Sequence, residues 1–573
     1  MRRKNRFYAR VAVLFMMMLL TACIVSWNHA GKASAISSGA ESVQDGGGAF
    51  EPTVWIGDSL GIRWWKRDAD NSYHVFLPGA VKGRKLNVTY GGADSIFVDG
   101  KKMKNGKGYV LSAGQHTLRM EGAEGAGQDL HVWYTSDIPV LFVETESGST
   151  EQIHASKDVS EPGRMMIMDG RGRNYFEGDM ESIHCRGNSS FEDTEKKSYM
   201  IKLEKKADLF GMGSAKKWIL TANAFDDTLL RNATAFSIAH MLGLDFTPEV
   251  CFVDVYMNGD FMGNYLLSEK IEVGKNRVNI RNLEDEVKAL NQGESLEDME
   301  FFMEQQGRLF STKGYRIAQE PEDISGGYLL ELETSDRYGL EASGFLTSRM
   351  QPVVFASPRY ASYDQVSYVA GLYQDFEDAM FSADGYSPYT GRRYSEYIDM
   401  DSFARKYLVE ELVKNLDASF TSQYIYKYDD DISTKFYAGP CWDYDKSIAA
   451  SGITEDGIDL HDPDGLYAAV QEKDSDIWYA LYQHEDFRKE TATIFFSELE
   501  PQLRQGAAEL VYGFSEQIDT SNDCNMIRWN TFPQAEGLGE KQALNDAKVA
   551  ELVDFIGRRL DFLEKEWGYL RDE

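Results

Sequence analysis

The sequence predicts an α+β protein in which a small all-β, sandwich-like domain (residues 51–137) precedes one large α+β domain (residues 138–573). Three observations carry this. Between Glu51 and Asp137, short runs such as "SYHVFLP", "KLNVTYGG", "SIFVDGKKM", "HTLRMEG" and "LHVWYTS" follow one another, each closed by Gly, Pro or Asp-Gly turn signals. After "IPVLFVETESG" the texture changes and strand-like runs alternate with helical periods. A chain of 573 residues exceeds one ordinary core, and a hydrophobic content of 43 % is that of a globular protein.

The first residues read as a targeting segment. "MRRKNRFYAR" supplies a basic region, "VAVLFMMMLL" an apolar one, and "LTAC", residues 20–23, a small-residue processing site. The tetrapeptide resembles a bacterial lipobox, so residues 1–23 are expected to be a lipoprotein signal peptide with Cys23 as the lipidation site. The mature chain is then extracytoplasmic and held to the cell membrane by its acyl group. Residues 24–50, rich in Gly, Ser and Ala, read as a flexible tether. A net charge of -32 excludes nonspecific nucleic-acid binding.

In the β-domain, Trp55, Trp64 and Trp65 have two uses, core packing or stacking on a glycan, and packing is the commoner. In the large domain, "DDTLLRNATAFSIAHMLGL" sets Leu229, Ala233, Phe236 and His240 on one helical face, with His240 read as a core histidine. Asn258-Gly259 signals a hairpin. The acidic stretch 283–307 reads as a solvated helical insertion. The strand "GGYLLELE", the helix "MDSFARKYLVEELVKN" and a terminal helix with the stripe Val549, Leu552, Ile556, Leu560, Leu563 complete the pattern. Cys185, Cys251, Cys441 and Cys524 lack zinc-site spacing and leave room for at most a disulfide whose pairing the sequence does not give.

Chemistry concentrates in four stretches. "AGPCWDYDKS" carries Asp443 and Asp445 two positions apart in an aromatic setting. In extended backbone they share a face, where a hard cation such as Mg2+ is the economical partner. "RGNSS" (Arg186, Asn188, Ser189, Ser190) offers a Gly, Asn and Ser loop able to cradle phosphate, with Lys197 and Lys202 on the following strand. Glu269 in "LLSEKI" is a carboxylate suited to hold such a lysine. Asp417 in "KNLDASFTSQYIYK" sits between a helix and a strand, where a catalytic carboxylate is aimed from a rigid scaffold. The order lysine strand, glutamate, catalytic Asp, metal Asp is that of a protein kinase.

These stretches, together with "KKSYMIKL", "LLRNATAF" and "VYMNGDFMGNYLLSEKI", resemble the CotH kinase family in sequence order, from about Ile138 to the C-terminal helix. The resemblance implies an atypical protein-kinase-like domain that binds ATP with Mg2+ or Mn2+ and phosphorylates Ser or Thr of secreted, surface or coat proteins. It implies Asp417 as the catalytic aspartate, Asp443 as a metal ligand, Asp445 as a second ligand or orienting carboxylate, and Lys197 ahead of Lys202 as the nucleotide lysine. Where ordinary kinases place a metal-binding Asn five residues after the catalytic Asp, this chain has Ser422 and then Gln423, which joins the metal candidates. A kinase-fold scaffold without turnover, binding protein or glycan, is the alternative; another metal-dependent transferase or hydrolase is a third.

Overall fold

The computed structural model describes residues 50–122, 127–418, 421–452, 457–470 and 476–571. The expected signal peptide, the expected lipidation site Cys23 and the expected tether up to residue 49 lie outside the described residues. Among those described, no helix is long and apolar enough to cross a membrane.

The all-β region is built from two sheets. One has four strands, in the order Leu60–Arg63, Glu51–Ile56, Leu86–Gly91, Lys107–Tyr109. The other has six: Trp65–Arg67, Ser72–Leu77, Gln128–Tyr134, Gly114–Glu121, Ser95–Val98, Lys101–Met103. The strands of both sheets pair antiparallel except Ser72–Leu77 and Gln128–Tyr134, which pair in parallel. Alternate residues such as Val54, Ile62, Val88, Leu118 and Leu130 are buried between the sheets, as period-2 patterning dictates. Trp64 lies in this core, Trp65 packs between Arg528 (4.9 Å) and His74 (5.4 Å), and Trp55 Nε1 donates to Thr89 Oγ1 at 2.8 Å. The same core takes in Val140, Phe142, Met168, Tyr256, Phe261, Cys524 and Ile527 from the following region.

A closed seven-stranded barrel comes next, in the order Val140–Thr145, Glu161–Met168, Asn174–Arg186, Ser198–Asp208, Ser214–Thr221, Asp260–Glu269, Val250–Met257. The first and last of these pair in parallel and leave no edge. Ile183, Ile201, Trp218, Tyr265 and Leu267 fill the interior. The Asn258-Gly259 hairpin is present, with φ of 53° and 88° at its two turn residues, the combination that type I′ turns require. The helix Arg231–Met241 lies between the fifth barrel strand and Val250–Met257 in the chain.

The remainder is organised on a second seven-stranded sheet: Glu300–Glu304, Ser311–Arg316, Gly344–Leu346, Pro352–Ser357, Tyr328–Leu332, Gln423–Lys427, Phe436–Ala438. Helices Tyr363–Met380 and Met400–Val413 pack in the main core through Val366, Val369, Tyr373, Phe403 and Tyr407. The first of them is closed by a capping box between Ser362 and Gln365. The terminal helix Leu538–Trp567 buries its predicted stripe and pins Arg559 to Glu411 at 2.9 Å, both fully buried.

Three local expectations change. The acidic stretch forms the α-helix Leu283–Leu290, capped by Asn291, then a 3-10 turn at Leu296–Asp298 and the edge strand Glu300–Glu304, with Gly293 at φ 89° in the turn between the helices. His240 is exposed, 3.8 Å from Glu249, at the last turn of its helix instead of in the core. Cys185, Cys251, Cys441 and Cys524 are all free thiols.

Candidate active site

Asp417 is positioned by the end of helix Met400–Val413. The C-cap residue Lys414 takes a left-handed φ of 46° and turns the chain, and its ammonium donates to the carbonyls of Asp462 (2.5 Å) and Asp464 (2.7 Å). Asn415 donates to Glu410 Oε2 at 2.8 Å, while its own side-chain oxygen accepts from the Asp417 amide at 3.3 Å. The Asp443 loop is joined to this segment by backbone bonds from Leu416 N to Lys446 O (3.1 Å) and from Ile448 N to Val413 O (2.7 Å).

Between the two loop carboxylates, Tyr444 turns inward. Its phenol donates to Glu410 Oε1 at 2.6 Å and its amide to Asn232 Oδ1 at 2.8 Å. Asn232 sits in the first turn of helix Arg231–Met241. Its neighbour Arg231 pairs with Asp226 at 2.5 Å and donates through Nε to the Ile448 carbonyl at 3.1 Å. The barrel-side helix therefore clasps the loop that carries Asp443 and Asp445. Buried charges in such a setting persist because they are paired and hydrogen-bonded.

The expected strand geometry of the Asp443-Asp445 pair is not what brings these side chains together. Strand Phe436–Ala438 ends five residues before Asp443, and Asp443 itself has φ of 66°. The two carboxylates nevertheless act on each other and on Asp417. Burial and then Asp443 push the Asp417 carboxyl up to about 7, against the pull of Lys446. Burial raises Asp443, opposed by Arg186, Lys446 and a 3.4 Å bond from Ser422 Oγ. Asp445 is raised well above the carboxylate range by burial, then by Asp443 and Asp417. Three carboxylates from two loops thus share one poorly screened space.

The cations that answer them are Arg186 and Lys446. Arg186, at the end of strand Asn174–Arg186, lies over the Trp442 ring at 5.1 Å and forms no ion pair among the described residues. Lys446 lies over Phe225 at 4.2 Å. Lys446 escaped sequence reasoning although it follows the D-x-D directly, a lysine beside two acids being the commonest of surface patterns.

The other predicted residues are placed as follows. Gly187 has φ of 97°, which favours glycine. It leads into the single helical turn Ser189–Asp193, so Ser189 and Ser190 sit on a folded turn. Asn188 accepts from Lys157 Nζ at 3.1 Å. Lys197 donates to the carbonyls of Phe191 and Thr194, bracing that turn, and Lys202 pairs with Glu181. Glu269 pairs with Arg277 at 2.5 Å and accepts from the Glu249 amide at 3.0 Å, so its partner is an arginine, not a lysine. Gln423 opposes Leu332 in the sheet register, whereas Tyr424 opposes Glu331. Leu332 and Ile425 belong to the main core, so alternation turns Gln423 to that side, where it is 2 % exposed with neither side-chain polar atom bonded. Ser422 makes the contact with Asp443 instead.

The donor set of Asp417, Asp443, Asp445 and Ser422 consists of hard oxygens. Among the described residues no three or more His, Cys, Asp or Glu side chains converge as a metal cage. Mg2+ does not require one, since it is held by one or two carboxylates together with phosphate oxygens and water. Burial raises all three carboxyls and Asp443 raises Asp417 and Asp445 further, which a divalent cation would relieve, so the residues fit the ion.

A family model described as "CotH kinase protein" matches residues 183–563, more than half of the chain. The chain belongs to this family. No curated protein matches it. Every carboxylate of the candidate site, with Arg186 and Lys446, falls inside the CotH match, and membership makes this a kinase-like protein. The match begins within the third barrel strand, so the sandwich and the barrel strands Val140–Thr145 and Glu161–Met168 lie before it.

Proposed function

We propose that this CotH protein is an extracytoplasmic protein kinase that transfers the γ-phosphoryl group of ATP to Ser or Thr of secreted, surface or coat proteins, anchored to the membrane through an acylated Cys23. The observation that carries the proposal is the gathering of Asp417, Asp443 and Asp445 near Lys446, with Arg186, in no ion pair among the described residues, beside Asp443.

Asp417 is the group suited to take a proton. With its carboxyl pushed up to about 7, it binds a hydroxyl proton at neutral pH and still releases it to water. As the proton leaves, the acceptor oxygen bonds to the γ-phosphorus, the bond to the bridging oxygen breaks, and ADP departs with the electron pair. Asp443, with Asp445, would hold Mg2+ or Mn2+, which when bound supplies charge neutralisation to the phosphates. Arg186, which forms no ion pair among the described residues, is suited to pair with phosphate oxygens. The fixed bonds of Tyr444, Asn232 and Asn415 keep these groups in place without reorganisation during the reaction.

The test is intact-mass spectrometry of residues 24–573 after incubation with ATP and Mg2+ or Mn2+, with a Ser-rich acceptor, beside Asp443→Asn. A gain of about 80 Da per site in the wild type alone supports transfer. No gain on either chain or acceptor turns the reading to a scaffold that keeps the fold without turnover.

A further inference from the structure

A cavity of about 890 Å³ opens between the sandwich and the barrel, and none of the candidate-site carboxylates lines it. Its volume is that of a small-ligand site. One wall is sandwich, with Trp55 on strand Glu51–Ile56 and Arg63 on strand Leu60–Arg63. The other is barrel, with Glu144 on strand Val140–Thr145, Glu146 just past it, and Asp260 at the start of strand Asp260–Glu269.

The two walls are fixed to each other. Arg63 N donates to the Gly259 carbonyl at 2.9 Å, and the Arg63 guanidinium lies 3.6 Å from Asp260. The Tyr256 phenol donates to the Phe76 carbonyl at 3.0 Å, and the Phe76 and Phe261 rings stack at 4.7 Å. A Cβ at Gly259 would fall 3.1 Å from the Gly61 carbonyl, so the hairpin reaches the sandwich this closely because it turns on glycine. The cavity is therefore preformed, and a ligand entering it spends little on ordering the protein.

Its lining joins a flat ring to uncommitted acceptors. Trp55 Nε1 is held by Thr89 Oγ1 at 2.8 Å, and the residue stands opposite Gly61, where a Cβ would fall 3.2 Å from the indole. The bare strand at Gly61 leaves room for the ring, which stays partly exposed. Glu51, Glu144 and Glu146 are exposed and form no ion pair among the described residues. Arg63 is taken by Asp260, and Arg528 by the Trp65 ring and the Phe261 carbonyl. An indole edged by carboxylates suits a pyranose, whose ring shows C–H groups on a face and hydroxyls at its rim. Carboxylates accept only, so they favour ligands rich in O–H and N–H donors and repel acidic ones. A peptide carries as many carbonyl acceptors as N–H donors and would turn the former against them.

We propose that this cavity binds an oligosaccharide of neutral or amino-bearing pyranoses, one ring stacked on Trp55 and its hydroxyl or amino groups held by Glu144 and Glu146. The site does not depend on the kinase reading, since an enzyme and a scaffold would carry it alike.

The experiment is isothermal titration of residues 24–573 with the hexamers of N-acetylglucosamine, glucosamine and galacturonic acid, and with hexalysine as a peptide of the same positive charge. The two amino-sugar hexamers should bind and the other two should not. Trp55→Ala should weaken both sugars about tenfold, with Trp55→Phe recovering most of the loss. Glu144→Gln combined with Glu146→Gln should weaken the glucosamine hexamer more than the acetylated one. Should Trp55→Ala fold poorly, Gly61→Ala, whose methyl displaces the indole, must weaken both sugars in a chain of wild-type Tm. Absence of binding by both amino-sugar hexamers, affinity untouched by the Trp55 and Gly61 changes, or hexalysine or galacturonate binding as tightly as the amino sugars overturns the assignment.

Discussion

Replacing Asp417 with Asn should make the protein more stable and less active at once. The Asp417 carboxyl has an ordinary value of 3.8 and is held at about 7 by burial and by Asp443. At 1.36 kcal/mol per unit, the ionised group costs the folded state about 4 kcal/mol at pH 8. Solvent reaches the cleft, and an amide still pays for desolvation, so the recoverable part is about 1–2 kcal/mol. Because the folded value lies above the unfolded one, this stability is fully present below pH 3.8 and is lost as pH rises through 7. The gain from Asp417→Asn should therefore be larger at pH 8 than at pH 5. Calorimetry of metal-free protein should show a rise of about one degree per kcal/mol for a chain of this size, while phosphoryl transfer by mass falls to background. A variant that is less stable than wild type at pH 8, or equally shifted at both pH values, would refute the picture of an Asp417 carboxyl raised by burial and by Asp443.

Other outcomes follow from the same structure. His74 is buried, with Nδ1 accepting from Trp133 Nε1 at 3.0 Å and Nε2 against Ser72 Oγ at 2.9 Å; burial and then His131 lower it to about 3. Its stability contribution is present above pH 6.5 and is lost as pH falls towards 3, so going from pH 7 to pH 5 should cost about 2 kcal/mol in urea unfolding, a slope that His74→Gln flattens. Arg559→Met strands the buried Glu411 and three carbonyls, at Pro463, Gly465 and Glu411, and should cost about 3–5 kcal/mol in denaturant titrations. A chain beginning at Ile183, where the family match starts, lacks two barrel strands and most of a third and should be insoluble, whereas one beginning at Phe50 should give a single cooperative thermal transition.

What the sequence disclosed depended on how local the signal was. The Asn258-Gly259 hairpin and the terminal helix stripe are set by neighbours in the chain, and both stand as read. Asp417, Asp443 and Asp445 were found through their order in the chain, and the fold does bring them together, though by a left-handed residue and a zipped loop instead of a strand. The lysines were harder. Lys197 and Lys202 stood in the expected positions, yet a lysine's partner is chosen by whatever carbonyl or carboxylate the fold brings near, here Phe191, Thr194 and Glu181. Arg277 takes Glu269 for the same reason. Arg186 gains its meaning from Trp442 and Asp443, more than two hundred residues away, which no window of sequence displays.

The backbone at Asp443 bears on how such a protein could fall silent. Its φ of 66° is a region that asparagine and aspartate enter readily and that branched or bulky residues resist. An Asp443→Asn change therefore keeps the loop's shape while deleting the charge, in a single step that leaves the fold's other bonds untouched. Within one architecture, an active enzyme and an inert binding protein would stand one mutation apart and be indistinguishable by shape, so a member's ability to transfer phosphate has to be read at this residue and not from its outline.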